Sequence, residues 1–432
     1  MMHFFKSAYV EITKSNYFRN LVVLTSGVGV SQLIPLILVP VLTRFFTPSE
    51  FGVLALFMTV VQLLAISMTF RLEMAIVLPK KDTDAAILCL VSIASLFVFS
   101  LLTFIISFFS FPYIISLDFM NDIEGEIVGF LPTLIYLIPI GFLLLGVYNV
   151  LYNWNNRLEL YQNMTYSHVT HSIFSTPLSL VFYFSSFKPI GLILGQILGR
   201  FIACFLLLQK LFMVIQSIDR PFLFRRALIL IERYNKFIIY ETPHAILNFI
   251  SQKYILTFLS GIGTIAVGVY DLADKILGKP LSIISNSIKT IFYKRLTTAK
   301  GKIAIFNKSL LLMIIVGFAL TFPIALIDEE VFIFILGDEW GEVGQYIQLI
   351  APLLFSRFIF NVVLPSISYT LKNYYLLIWQ IIYFICLVVL FSFLRDEKVD
   401  DVLFIYAVFG AFMYFMLGLI SLSVLKNHLL SL

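Results

Sequence analysis

The chain has 432 residues, of which 60% are hydrophobic, 16% aromatic and only 13% charged, with a formal net charge of +5. At a mean hydropathy of +0.97 there is too little polar surface to cover a water-facing exterior. A soluble globular domain is therefore excluded, lipid is the expected solvent, and no nucleic-acid partner is expected.

In chain order, twelve apolar runs approach the roughly 20 residues that a helix needs to cross a bilayer. They are 21–43, 51–70, 85–109, 129–151, 167–187, 190–208, 236–259, 264–293, 309–327, 346–371, 374–393 and 402–425. The expected fold is an all-α polytopic membrane protein of about 12 transmembrane helices. Residues 1–20 carry Lys6, Lys14 and Arg19 and are followed by no A-x-A-like cleavage site, so the first run reads as a span rather than a cleaved signal. Cys89, Cys204 and Cys386 all fall inside spans, where lone cysteines behave as small hydrophobes.

With the N-terminus placed in the cytoplasm, the inner segments collect about 19 lysines and arginines against three outside, a strong positive-inside bias. The outer three are Lys188, Arg395 and Lys398, and the outer loops SLDFMNDIEGE, IDEEVFIFILGDEWGE and RDEKVDD are acidic. Both termini are expected in the cytoplasm.

Residues 211–236, LFMVIQSIDRPFLFRRALILIERYNK, form the longest stretch between spans. They read as an amphipathic elbow on the inner leaflet, with a regulatory contact as the alternative. The expected organisation is a six-helix lobe over 1–210, a connector over 211–236 and a second six-helix lobe over 237–432. A faint repeat agrees with it. Shifted by 216 positions, FGV at 51–53 falls on VGV at 267–269, each after a short outer turn, TPSE in one copy and GIGT in the other. Such a repeat suits two lobes related by an axis along the membrane normal, with a site between them.

The run GVYDLADKILGKP (268–280) places Asp271, Asp274, Lys275 and Lys279 within nine residues of a span. A charge at the bilayer centre costs roughly 2.5–3.5 kcal/mol on insertion scales, so these groups must face water or a partner. At about 100° per residue the four occupy one stripe of roughly 140°, with Gly278 on the same side. The spacing predicts a helix that lines an aqueous cavity with one face. The plainer alternative is that Asp271 and Lys275 neutralise each other as an i,i+4 pair, which leaves Lys279 without a local partner.

The N-terminal pattern SQLIPLILVPVLTRFFTPSEFG, continued by FRLEMAIVLP, resembles the oligosaccharide flippases of O-antigen and related polysaccharide pathways. The stretch ADKILGKPLSIISNSIKTIFYKRL resembles the eighth span of their superfamily, through Ala273, Asp274, Lys275 and Pro280. That superfamily also holds multidrug antiporters and lipid II flippases. The resemblance implies a MATE/MOP-like, V-shaped pair of six-helix bundles around a central cavity. It also implies a place in a bacterial inner membrane and the movement of an undecaprenyl-diphosphate-linked oligosaccharide from the cytoplasmic to the periplasmic leaflet. Membrane lipids, a polysaccharide polymerase and chain-length machinery are the further partners expected.

Other charges in or near spans are Arg44, Arg71, Arg200, Lys253, Lys289, Arg357, Glu73 and Glu241. With the stripe this makes eight positive and four negative groups, an excess that suits a diphosphate better than a cationic drug. Arg44 and the pair Arg71 and Glu73 match the flippase pattern; each also reads as a helix-end residue, Arg44 by snorkelling. Arg200 and Lys253 are mid-span without an acidic neighbour and are assigned to the cavity; Lys289 and Arg357 lie closer to an interface. Glu241 precedes Thr242-Pro243, where proline breaks a backbone bond and leaves a kink. Glu73, Glu241 and Asp271 are the candidates for H⁺ or Na⁺ coupling, and no other cofactor is expected. His244 reads as a packed histidine, and the aromatic residues as lipid-facing or interfacial girdle positions.

Three rival functions remain in view. A cation-coupled multidrug or metabolite antiporter predicts carboxylates dominating the cavity. A membrane polysaccharide polymerase or ligase needs a large outer loop, and the sequence holds no nucleophile–base pair, metal-ligand spacing or phosphate-cradling glycine loop. A purely structural scaffold leaves the intramembrane charge without a use.

Overall fold

The computed structural model describes residues 33–115, 131–185, 187, 190–216, 223–298, 301–370 and 372–430. Lys6, Lys14, Arg19, Lys188, Arg220, Lys300, the loop SLDFMNDIEGE and the start of the first apolar run lie outside them. Described residues form helices and turns with no strand.

The helices are α1 (Leu33–Leu42), α2 (Pro48–Met68), α3 (Leu72–Ala75), α4 (Asp82–Ile115), α5 (Leu131–Arg157), α6 (Tyr161–Tyr183), α7 (Gly191–Gln216) and α8 (Leu223–Arg233). There follow α9 (Thr242–Ser260), α10 (Thr264–Ala273), α11 (Lys279–Thr298), α12 (Lys302–Ala325), α13 (Glu329–Leu336), α14 (Glu342–Val363), α15 (Pro365–Tyr369), α16 (Tyr374–Phe393) and α17 (Val399–Leu430). As far as they are described, the twelve apolar runs fall on these helices or on helix pairs. Eight described helices are long and apolar enough to cross a bilayer. Of the remaining runs, the first is described only at its end, and α6 and α9 are diluted by polar residues, as in MTYSHVTHSIFS and TPHAILNFISQKY. Helices also overrun the apolar runs at polar ends, as α4 does by starting at Asp82 rather than at 85.

Two five-residue π turns interrupt the α pattern. Phe237–Glu241 precedes α9 and Asp274–Gly278 joins α10 to α11. A proline stands two residues past each, Pro243 and Pro280. Proline has no N–H for the carbonyl four residues back, and its ring crowds that oxygen; a widened turn accommodates both faults.

Residues cluster into two compact units, Phe57–Ile246 and Val39–Leu56 with Leu247–Leu432. In the first, α7 packs most extensively on α6. Gly191, Gly195 and Gly199 recur every fourth residue, and a Cβ at Gly195 would stand 2.1 Å from Ser179 Oγ and 2.6 Å from Ser175 O. Small residues let backbones meet where lipid provides no hydrophobic drive between helices. On α4, Phe97, Leu101, Phe104 and Phe108 form an exposed apolar stripe, the face such a helix turns to acyl chains.

In the second unit the turn TPSE is a capping box. Thr47 N donates to Glu50 Oε2 at 2.8 Å, and Glu50 N donates to Thr47 Oγ1 at 3.3 Å. It delivers α2 onto α10 at a crossing that only glycine permits. A Cβ on Gly52 would lie 1.9 Å from Thr264 O, and one on Gly268 would lie 1.8 Å from Pro48 O. Gly52 and Gly268, like Pro48 and Thr264, are 216 positions apart, so the faint sequence repeat is a reciprocal contact in space. Ser49 Oγ and Thr264 Oγ1, 2.7 Å apart, close it. Residues 39–56 are docked further by Trp340, whose Nε1 donates to Thr43 O at 3.0 Å and whose ring meets Phe51 edge-on at 4.9 Å.

Candidate functional site

The charged turn of the second unit gathers the densest set of intramembrane ions. Asp271, on the last turn of α10, is only 4% exposed and pairs with Lys275. Lys279 and Lys253, the latter from α9, also lie within Coulombic range of Asp271. Asp274 also lies within Coulombic range of Lys279, so two carboxylates, one of them buried, face three ammonium groups. Lys279 is exposed, and Lys253, Asp274 and Lys275 are half-buried. The uniform 100° step expected from the sequence does not hold through this segment, because residues 274–278 form the π turn. Asp274 still shares a side with Gly278, whose Cβ would stand 3.2 Å from Asp274 Oδ1.

Arg357 belongs to a different setting in the same unit. Its guanidinium carbon sits 5.7 Å from the ring centre of Tyr414, a cation–π arrangement. Tyr383, Tyr406 and Asp274 are within electrostatic range, and Nε is buried without a hydrogen-bond partner. Behind it Trp379 stacks on Tyr383 at 5.1 Å, and Trp379 Nε1 donates to Met413 O at 3.1 Å. These aromatic side chains are core residues rather than lipid-facing ones. Lys289 is held by Asn361, its Nζ donating to Oδ1 at 3.2 Å. Exposed Arg44 donates from Nη2 to Phe334 O at 3.1 Å.

In the first unit Arg200 follows Gly199, so the close α6–α7 approach delivers its guanidinium to α6. Nη2 lies 3.5 Å from His171 Nε2, and the guanidinium carbon is 5.5 Å from the Tyr148 ring centre. Tyr148 hydrogen-bonds with Ser167 at 3.0 Å, and His168 meets Tyr148 and Tyr152 edge-on. Among the described residues Arg200 makes no salt bridge. With Gln196, one turn earlier, it lines a small cavity otherwise walled by Phe57, Val61, Leu144, Leu145 and Ile197.

Arg71 and Glu73 sit in the turn between α2 and α4, outside both flanking spans. Phe70 and Arg71 both take left-handed backbone angles, φ 52° and 54°, unusual for residues with a side chain. Glu73 is 3% exposed and meets Arg71 Nη1 at 3.4 Å. Glu73 Oε2 and Arg71 Nε are buried without partners. Burial raises the Glu73 carboxyl above its ordinary value, against the opposing Thr69 hydroxyl and Arg71 charge. Glu241 closes the first π turn and is exposed.

The predicted residues therefore fall into separate places. Lys253, Asp271, Lys275 and Lys279 come together, Arg357 approaches Asp274, Arg71 joins Glu73, and Arg44, Arg200, Lys289 and Glu241 stand apart. Sequence reading missed the rings around Arg200 and Arg357 and the polar partner of Lys289. Gln196 and Arg200 at i,i+4, and His168 and His171 at i,i+3, are the signals that could have found the first set. Among the described residues no group of three histidine, cysteine or acidic side chains is placed to hold a metal ion.

Comparison with known proteins follows the same lines. A family model described as "Polysaccharide biosynthesis protein" matches residues 41–345, the greater part of the chain. No curated protein matches the sequence closely enough to count as a relative. Among solved structures, an inward-facing multidrug-resistance MATE transporter of the MOP superfamily aligns with a TM-score of 0.68 at 14% identity, over 94% of this chain and 99% of that one. An outward-facing MATE transporter of that superfamily aligns at 0.55 and 15%, over 93% and 96%. A MOP-superfamily transporter from Pyrococcus furiosus, described as having a binding pocket of reversed polarity, aligns at 0.54 and 14%, over 93% and 96%. At these identities the likeness is one of fold, and it is a fold of multi-pass membrane transporters rather than of enzymes. The chain belongs to the polysaccharide biosynthesis protein family and carries the transporter fold of the MOP superfamily.

Proposed function

We propose that the protein flips an undecaprenyl-diphosphate-linked oligosaccharide, the repeat unit of O-antigen or a related surface polysaccharide, from the cytoplasmic to the periplasmic leaflet by alternating access. The observation that carries this reading is the excess of cations at the charged turn: Lys253, Lys275 and Lys279 around the single buried carboxylate of Asp271. Moving a diphosphate through hydrocarbon without compensation is prohibitive. Fixed ammonium groups replace its hydration, and exposed Lys279 is free of any salt bridge among the described residues. Arg200 adds a cation with no carboxylate of its own. For the Pyrococcus furiosus transporter of this fold, a binding pocket of reversed polarity is taken to suggest a different function. A cationic drug would be repelled by the same lysines.

Deletion of the gene tests the reading. The expected result is accumulation of lipid-linked repeat units in the cytoplasmic leaflet; a surface capped with single repeat units would point to a polymerase instead. Lys275→Ala and Lys279→Ala should lower surface polysaccharide while the protein remains folded and in the membrane. Normal polysaccharide in both variants would remove the charged turn from the mechanism.

A further inference from the structure

Helix α8 presents three different faces. At about 100° per residue, Arg226, Ala227 and Leu230 fall on one side, and this side meets the first unit. Ala227 and Leu230 are buried, and Arg226 grips Asp84 at the start of α4 through two 2.8 Å bonds, Nε to Oδ1 and Nη2 to Oδ2. The second side is apolar and open: Phe224 is 74% exposed and Leu228, one turn on, is 52% exposed. On the third side Arg225 and Arg233 are exposed, followed by exposed Lys236; between them stand Glu232 and Ile229, the latter 40% exposed.

The neighbourhood of this helix is basic as well. Arg157, at the end of α5, bonds Asp82 through Nε at 3.0 Å and Nη2 at 2.9 Å, and donates to the carbonyls of Ile76 and Val77. Lys80 and Lys81 on the same loop are exposed, and Lys81 and Arg233 lie within Coulombic range of Asp84. The acids Asp82 and Asp84 are thus bonded by Arg157 and Arg226, and among the described residues the exposed Lys80, Lys81, Arg225, Arg233 and Lys236 make no salt bridge. By the positive-inside rule this end of the spans faces the cytoplasm, where the leaflet carries anionic lipid. An apolar face beside a basic one is the pattern of a helix lying in the headgroup boundary.

We propose that α8 is an interfacial helix that binds anionic phospholipid, with Phe224 and Leu228 entering the acyl boundary and Arg225, Arg233 and Lys236, flanked by Lys80 and Lys81, pairing with lipid phosphates. Arg226 serves as the tether to the first unit and is not a lipid ligand. The helix leads through the π turn Phe237–Glu241 into α9, so lipid held by α8 fixes the point from which the next span departs. Lipid binding at α8 needs no particular cargo.

The test uses the full chain carrying Leu228→Trp, reconstituted in vesicles of phosphatidylcholine and phosphatidylglycerol with one lipid brominated on its acyl chains. Trp154, Trp340 and Trp379 are buried, so the new tryptophan reports the helix. Brominated phosphatidylglycerol should quench it roughly two-fold more than brominated phosphatidylcholine, and high salt should remove the preference. The added changes R225Q/R233Q/K236Q should also equalise the two lipids without shifting the unfolding temperature. Equal quenching before any charge is removed, a preference that survives both salt and the triple change, or no quenching by either lipid would each overturn the proposal. The salt arm stands by itself if the triple variant does not fold.

Discussion

Arg200 and Arg357 are both arginines inside apolar helices, yet the two units treat them oppositely. In the second unit Arg357 is enclosed by tyrosines with Asp274 in range, and its neighbours are stacked rings. In the first unit Arg200 has a histidine, one tyrosine face and a small cavity, and no carboxylate. The difference teaches that an intramembrane cation is not by itself a site. Where aromatic rings surround it and an acid lies within electrostatic range, it is part of the core even with Nε unbonded; where no carboxylate is in range, it is the cation proposed above to meet an anion from outside.

The largest effect should come from separating these two roles. Arg357→Met removes the cation at the centre of the ring cluster and should cost roughly 2–3 kcal/mol of stability, less than breaking a buried ion pair because Asp274 is in range but not bonded. Arg200→Met should change stability by less than about 1 kcal/mol, since it removes a desolvated charge without leaving a counter-charge behind, while lowering surface polysaccharide. Thermal unfolding in detergent checks the first arm, and complementation of a deletion strain the second. Equal losses of stability would dissolve the contrast.

A smaller effect is expected at the charged turn. Asp271→Asn should destabilise by roughly 1–2 kcal/mol, discounted because Lys275 is 35% exposed and water screens it. Restoration of stability by Asp271→Asn with Lys275→Met would show that the pair is structural, leaving Lys253 and Lys279 as the cations offered to cargo. No restoration would make Lys275 part of the open set, like Arg200.

The smallest effect is a slope. Burial raises the folded-state value of Glu73, so the folded chain holds that proton more tightly than the unfolded chain. Its contribution is present below the ordinary carboxyl range and is lost as pH rises through the folded-state value. Unfolding temperature should therefore decline across that window in the unsubstituted protein and decline less in Glu73→Gln. An unchanged slope in the variant would mean that Arg71 keeps the carboxylate charged, and that the first unit compensates this ion as the second does Asp271.

Much of this architecture was legible in the sequence, and particular residues show why. The long apolar runs predicted helices because a bilayer leaves the backbone no other way to satisfy its N–H and C=O groups. TPSE predicted a short turn, and its capping box is local chemistry within four residues. Yet the 216-residue shift looked like coincidence until Gly52 and Gly268 met, because glycine records a close approach only when both partners are in view. The rings around Arg357 of α14 come from α16 and α17, and no periodicity within one helix announces them.

What the sequence by itself determined is the solvent, the helical class and the placement of charges along each apolar run, since all three follow from the hydropathy and spacing of neighbouring residues. Tertiary structure decided which charges are compensated. Lys275 and Asp271 could be paired from i,i+4 spacing alone, but the isolation of Arg200, the ring-lined place of Arg357 and the grip of Arg226 on Asp84 depend on residues tens to hundreds of positions apart. Coulombic and cation–π forces act over a few ångströms, and only the fold sets those distances.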